Sequence, residues 1–258
     1  MLSTKRWRRG GWVARNEVRV TSPAKHSQMD GARKRRTSTM AWHGSISFPT
    51  VWLTLSIVSA AVVACDVTMG AHRQPMAVMS VAWPLTVLYW GPVGLFFYYR
   101  FGRSNPGVKR ESPPMWWATF LGATHCGAGC ALGDFIGEWL VFALSIRIAG
   151  SEPAARLATA FILAYLFGVA FQYFSIAPMR GLGFRDGIVA AVKADTLSLL
   201  AYELGMFGCM IALAPLFHPS KPTHASYWVF MQGAMIAGFV TTYPVNYWLI
   251  RRGIKEKM

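Results

Sequence analysis

From residue 47 to residue 250 the sequence alternates long apolar stretches with short polar loops, and this alternation constrains the fold more than any other feature. Six such stretches lie at about 47–65, 75–99, 116–146, 155–178, 186–217 and 226–250, each near the ~20 residues that a bilayer crossing requires. They predict an all-α, polytopic transmembrane bundle of about six helices. Pro84 and Pro92 fall inside the second stretch, where a membrane helix tolerates them as kinks. Tyr98-Tyr99, Trp116-Trp117 and Tyr247-Trp248 stand near stretch ends, as amphipathic rings do at headgroup level.

Charge supports the same fold. Only 14% of residues are charged and 53% are hydrophobic, whereas ordinary soluble domains carry roughly 25% charged residues. The net charge of +15 does not call for nucleic acid, because eleven Lys/Arg and two acids in residues 1–45 account for nine of the fifteen. A nucleic-acid binder would display its basic face on a packed domain, so the expected partner is the lipid bilayer, with no nucleic acid. Residues 100–111 hold four basic residues and one acid, residues 180–186 two and one, and the end of the chain has Arg251, Arg252, Lys255 and Lys257 against Glu256. The alternate loops are nearly neutral, with Arg73 against Asp66, Arg147 and Arg156 against Glu152, and Lys221 alone. Positive loops face the cytoplasm, which predicts both termini there.

The chain divides into residues 1–45 and 46–258. The first part contains Lys5 to Arg9 (KRWRR) and Arg33 to Arg36 (RKRR) and lacks apolar periodicity. Three readings stay open: a disordered cytoplasmic tail, an Arg-rich targeting segment, or a misassigned start with translation beginning at Met29 or Met40. Cys65, Cys126, Cys130 and Cys209 all fall in or beside apolar stretches, which argues against a secreted disulfide framework.

The third stretch is the unusual one. It places His125, Asp134, Glu138 and two thiols where each ionisable group costs on the order of 2.5–3.5 kcal/mol at the bilayer centre. Cys126, Cys130, Asp134 and Glu138 recur every four residues and form one slowly winding stripe. His125, Gly129, Gly133 and Gly137 form a second stripe beside it. Gly129, Gly133 and Gly137 predict close helix packing, and the first stripe must face protein or water.

The fifth stretch carries Lys193, Asp195 and Glu203, followed at helical spacing by Ser198, Tyr202 and Met206. Counted from the two starts, Asp195 stands level with His125 and Glu203 with Asp134, so neighbouring helices would join two polar tiers. Lys193 has the alternative of snorkelling to the surface. Gln172, Gln232 and Asn246 are read as interhelical hydrogen bonders.

The sequence resembles a bacterial membrane family, domain of unknown function 4396. The likeness rests on His125-Cys126-Gly127-Ala128-Gly129-Cys130, Gly133-Asp134, Glu138-Trp139 and Phe171-Gln172-Tyr173-Phe174. It continues through Ala177-Pro178-Met179-Arg180, Lys193-Ala194-Asp195, Glu203-Leu204-Gly205-Met206-Phe207 and Tyr243-Pro244-Val245-Asn246-Tyr247-Trp248. It covers about 75–258 in one order. It implies a multi-pass protein of the bacterial inner (plasma) membrane and brings no established activity.

Four functions fit these residues. His125, Cys126 and Cys130, with Met206, Met210, Met231 and Met235 nearby, form a soft donor set suited to copper or zinc, as binding site or transport site. Asp134, Glu138, Lys193, Asp195 and Glu203 suit an ion or proton path for coupled transport. Cys126 and Cys130 suit thiol redox chemistry. A structural or assembly subunit, in a homo-oligomer or membrane complex, needs only that the polar stripe be satisfied. Whether a reaction is catalysed stays open at this point.

Overall fold

In a computed structural model of the chain, residues 47–70, 72–104, 113–217 and 221–257 are described. The tail 1–45 and the basic residues Lys109 and Arg110 lie outside them. Seven α-helices and one π-helical turn are present among the described residues, with no strand beyond an isolated bridge between Ile148 and Ser151.

Helix α1 (Phe48–Thr68) begins after Ser47 with Pro49 in its first turn, a position where the missing N–H has no helical partner to lose. It exposes Val51, Leu55, Ile57, Val58 and Val62 and buries the small residues Ser56, Ser59 and Ala60. Lipid suits such an apolar outer face.

The second stretch is not one helix. It is divided into α2 (Ala77–Trp90), α3 (Pro92–Phe97) and a π turn at Tyr98–Gly102. Gly91 between them has φ 61°, a left-handed value that costs glycine little. Pro92 then starts the next helix without needing a donor. The pairing Gly91-Pro92, rather than either proline alone, makes the break.

Four longer helices follow: α4 (Met115–Leu144), α5 (Glu152–Arg180), α6 (Phe184–Phe217) and α7 (Ala225–Arg251). Ser145 ends α4 at φ 51°. Ser151 caps α5, its side chain accepting from Ala154 N at 3.3 Å, and Gly181 ends it in the left-handed conformation. With α2 and α3 taken as one broken segment, the helices form six segments. Four of them (α1, α4, α5, α6) are long and apolar enough to cross a membrane; α2, at 14 residues, is shorter. The 27 residues of α7 give it the length, but Gln232, Thr241, Thr242 and Asn246 make it more polar.

Helix α4 occupies the centre. Its apolar window is 56% buried, against 17% for α1, 33% for α5 and 28% for α6. It touches α2, α5, α6 and α7, so the third and fifth sequence stretches are neighbours. The glycine face of α4 lies on α5. A Cβ built on Gly129 would stand 2.9 Å from Gly168 Cα, and one on Gly137 3.1 Å from Ala160 Cα. A Cβ on Gly133 would collide with the backbone of Leu163 and Ala164. Backbone cannot move aside as a side chain can, so this seam admits only glycine on α4.

The seam predicts that Gly133→Ala lowers the thermal unfolding midpoint of detergent-solubilised protein, by about 1–3 kcal/mol of overpacking strain. Gly233→Ala serves as control, since nothing lies within 4 Å of the added carbon, and its midpoint should not move. Equal midpoints for the two variants would refute the close seam.

Candidate functional site

The seam fixes how α4 presents its remaining faces. The same one-to-one progression that sets Gly137 on Ala160, Gly133 on Ala164 and Gly129 on Gly168 brings His125 to Phe171 and Gln172. The His125 ring meets Phe171 at 5.9 Å between centroids. Helix α7 runs the other way along α4. A Cβ on Gly122 would be 3.5 Å from Asn246 Oδ1, while Tyr227 lies beside Glu138. From His125 to Glu138 the buried polar groups extend along α4 for about 20 Å at 1.5 Å per residue, in three tiers.

The first tier joins His125, Gln172 and Asp195. Asp195 Oδ1 accepts from Lys255 Nζ at 3.1 Å, with both side chains fully buried. Among the described residues Asp195 Oδ2 and both amide atoms of Gln172 have no hydrogen-bond partner, and the His125 ring nitrogens have none of good geometry, with the Phe171 backbone nearest them. Lys255 is within electrostatic reach of His125. Ser198 donates to Asn246 Oδ1 at 3.2 Å, and Thr242 donates to the Ser198 carbonyl at 2.7 Å. Those hydroxyls knit α6 to α7 just beneath the tier.

The second tier is the level of Asp134 and Glu203. Both carboxylates are buried, and among the described residues none of their four oxygens has a hydrogen-bond partner of good geometry. The charged groups that act on Asp134 are Glu203 and Glu138, both acidic. Cys130 lies between Cys126 and Glu203 and is close to both. Tyr202 and Tyr89 close this level; among the described residues the buried Tyr202 hydroxyl has no hydrogen-bond partner, and the Tyr89 hydroxyl stands near Thr86 and Trp90. A Cβ on Gly127 would stand 2.8 Å from Tyr89 Oη and 3.2 Å from Tyr202 Cε2, so Gly127 lets two tyrosine rings approach the cysteines.

The third tier is compensated. Arg156 Nη1 lies 3.1 Å from Glu138 Oε2 and 3.1 Å from the Tyr227 hydroxyl, and Arg156 Nη2 is 2.7 Å from Glu152. One guanidinium thus holds two carboxylates and a phenol at the N-terminal end of α5. A separate pair stands apart from the column: Arg103 binds Asp66 at 2.7 Å, and the Tyr98 hydroxyl donates to the same carboxylate at 2.6 Å.

The residues marked in the sequence do not all converge. Asp134 and Glu203 face one another across α4 and α6, whereas Asp195 and His125 are related through Lys255, which binds Asp195 and lies within electrostatic reach of His125. Lys193 does not join them; it is exposed and faces a surface cavity with Arg180 and Asp186. His125 turns toward α5 while Cys126 and Cys130 turn toward Tyr89, Tyr202 and Glu203. This divergence follows from the ~100° step between successive helix residues. Among the described residues no three His, Cys, Asp or Glu side chains are grouped as a metal ion would need, so His125, Cys126 and Cys130 do not make a ready three-ligand centre. All four cysteines are free. Gln232 bridges Trp52 and the Leu88 carbonyl, and Asn246 bonds between helices, as glue.

Two charged members escaped the sequence reading. Arg156 counted as a loop charge, yet Ser151-Glu152-Pro153 is a helix-start signal that places it one turn inside α5. Lys255 has no such signal, since nothing local distinguishes it from the other basic residues of the chain end.

The chain belongs to the family described as Domain of unknown function (DUF4396), which matches residues 115–255. The match begins at the start of α4 rather than near residue 75, and it takes in α4 to α7 and Lys255. No curated protein and no solved structure matches the chain. Every charged residue of the three tiers lies inside the matched stretch.

Arg156→Met strands Glu138, which is 2% exposed, and is expected to cost about 3–5 kcal/mol, the usual loss when one partner of a buried pair is removed. Pairing it with Glu138→Gln should return most of the lost stability in a detergent thermal melt. A double variant no more stable than Arg156→Met would show that the pair is not coupled.

Proposed function

We propose that the protein is a cation- or proton-coupled membrane transporter whose path runs between α4, α5, α6 and α7, with Asp134 and Glu203 as its central relay. The observation that carries this reading is the facing of two buried carboxylates with no basic partner at their level among the described residues. Two uncompensated negative charges in a low-dielectric interior are prohibitive, so a proton or a cation must be shared there. Intramembrane carboxylates that face one another and not lipid are the groups that transport relays use. The bland alternative, a polar stripe that satisfies its own hydrogen bonds, is disfavoured because among the described residues Asp134 has no hydrogen-bond partner and Glu203 has only the Cys130 thiol beside it.

The ends of the path follow from chemistry. Glu138, held by Arg156 and Tyr227, is a fixed charge beyond the relay. Asp195 and His125 stand at the other end, toward the chain terminus. The loop charges support both termini in the cytoplasm, and the family resemblance supports a bacterial inner membrane. The first tier is therefore the cytoplasmic one. A fluorescent C-terminal fusion that matures in the cytoplasm, beside an inactive periplasmic phosphatase fusion at the same site, is the expected topology result; the reverse pattern would invert the path.

A second reading has its own observation. Cys126 and Cys130 stand side by side and buried, a pair able to hold one soft cation such as copper(I) between two sulfurs. Copper retained by purified wild type and lost in Cys126→Ser/Cys130→Ser supports it; equal copper contents remove it.

The relay is tested in proteoliposomes. With an imposed potential and an interior pH dye, wild type is expected to move protons, while Asp134→Asn and Glu203→Gln lose the flux by roughly tenfold or more, the scale of losing one proton-transfer group. Lys193→Gln should behave as wild type. Flux unchanged in both carboxylate variants would sink the relay.

A further inference from the structure

The first tier holds more acceptors than its occupant uses. Lys255 carries three ammonium donors, yet among the described residues its Nζ makes one hydrogen bond, to Asp195 Oδ1. Among the described residues Asp195 Oδ2 and Gln172 Oε1 remain buried and without partners, and His125, whose ring lies against the Phe171 backbone, stands within electrostatic reach of the same Lys255. Asp195 Oδ2 leans on the α4–α5 seam, 3.1 Å from a Cβ built at Gly168, one helical turn from Gln172. The acceptor set exceeds what a tethered amine can reach, and it suits a freer cation with donors on several sides.

The way Lys255 arrives is equally informative. After α7 ends at Arg251, Gly253 takes φ 68° and reverses the chain. The amides of Ile254 and Lys255 both return to the Leu249 carbonyl, at 3.0 and 3.3 Å. The segment is then clipped from outside by Glu256 and Arg180 at 2.5 Å, both more than a third exposed. An exposed pair of that kind contributes little holding energy. A cavity of about 450 Å³, walled by Gly253, Ile254, Asp186 and Lys193, lies beside this segment. A deeply buried lysine is thus held by a tail with a weak external fastening and free space at its side.

We propose that Asp195, Gln172 and His125 form a binding site for a small primary ammonium cation, ammonium or a short alkylammonium, and that Lys255 is a tethered occupant that such a cation displaces. The inference rests on reading α4–α7 as a cation path, for which it names a substrate class. The selectivity is chemical. An ammonium ion donates several hydrogen bonds to a carboxylate, an amide oxygen and an imidazole nitrogen, which sodium and quaternary ammonium ions cannot do. Lys255 keeps Asp195 compensated when no such cation is present, so the closed protein never strands a buried carboxylate.

The test uses full-length protein in detergent and reads thermal unfolding by tryptophan fluorescence, with methylammonium chloride as the probe. Sodium chloride and tetramethylammonium chloride at equal ionic strength are controls. Lys255→Ala is expected to melt below wild type and to regain its midpoint, saturably, with methylammonium alone. Lys255→Ala/Asp195→Asn should not respond. Glu256→Ala, which opens only the exposed clip and leaves the buried pair, guards against a Lys255→Ala chain that does not fold. It should bind methylammonium about tenfold more tightly than wild type, read from the dose dependence of the midpoint. No methylammonium-specific shift in either variant, or an equal shift with tetramethylammonium, overturns the site. Methylammonium binding without proton flux defeats the relay and leaves the site standing. Flux without methylammonium binding does the reverse.

Discussion

The close approach of α4 to α5 determines the rest of the architecture. Three glycines on one helix meet Ala160, Ala164 and Gly168 on the other, with no side chain from α4 between the two backbones. Lipid tails give no hydrophobic drive to bring helices together, so contact must come from packing at short range. Once that face of α4 is committed, the neighbouring face carrying Cys126, Cys130, Asp134 and Glu138 is turned toward α6 and α7. The polar groups are buried because the glycines are.

Charge balance then divides the column unevenly. At one end Arg156 compensates Glu138 and Glu152; at the other Lys255 compensates Asp195. The middle tier, Asp134 and Glu203, has no basic residue of its own among the described residues. A protein that merely needed a stable interior would be better served by apolar side chains there, since buried ionic groups rarely stabilise relative to well-packed hydrophobes. The fixed charges at both ends and the bare centre together form a gradient of compensation along the bundle.

Much of this was legible in the sequence, for definite physical reasons. A four-residue repeat on a helix must form a stripe, so the glycine seam and the acidic stripe could be drawn before any coordinates. Counting from the starts of two parallel helices put Glu203 at the level of Asp134, the carboxylate on which it acts, because rise per residue is constant; the same count set Asp195 against His125, whereas Asp195 Oδ2 lies beside Gly168, one turn from Gln172. What could not be read depends on the chain turning back on itself. Lys255 enters the core only because Gly253 reverses direction beyond α7, and a basic residue near a chain end is otherwise the signature of a solvated tail. The break at Gly91 was likewise hidden, since Pro84 and Pro92 each suggested a kink while the left-handed glycine between them made the actual interruption. Lys193 shows the opposite failure: it shares a helix with Asp195, but two residues' rotation carries it to the outside.

The length of α4 has a consequence for how the protein meets membranes of different thickness. Thirty residues of helix measure about 45 Å, well beyond a hydrocarbon core of about 30 Å, and such excess is absorbed by tilt. Helix α5 packs on α4 backbone to backbone and α6 packs on α5, so a tilt that moves the three as one body leaves their mutual register unchanged. Asp134 and Glu203 therefore stay opposite one another while the lipid boundary slides along the outer surface. The polar tiers keep their alignment with each other, and it is their depth relative to the headgroups that the bilayer sets.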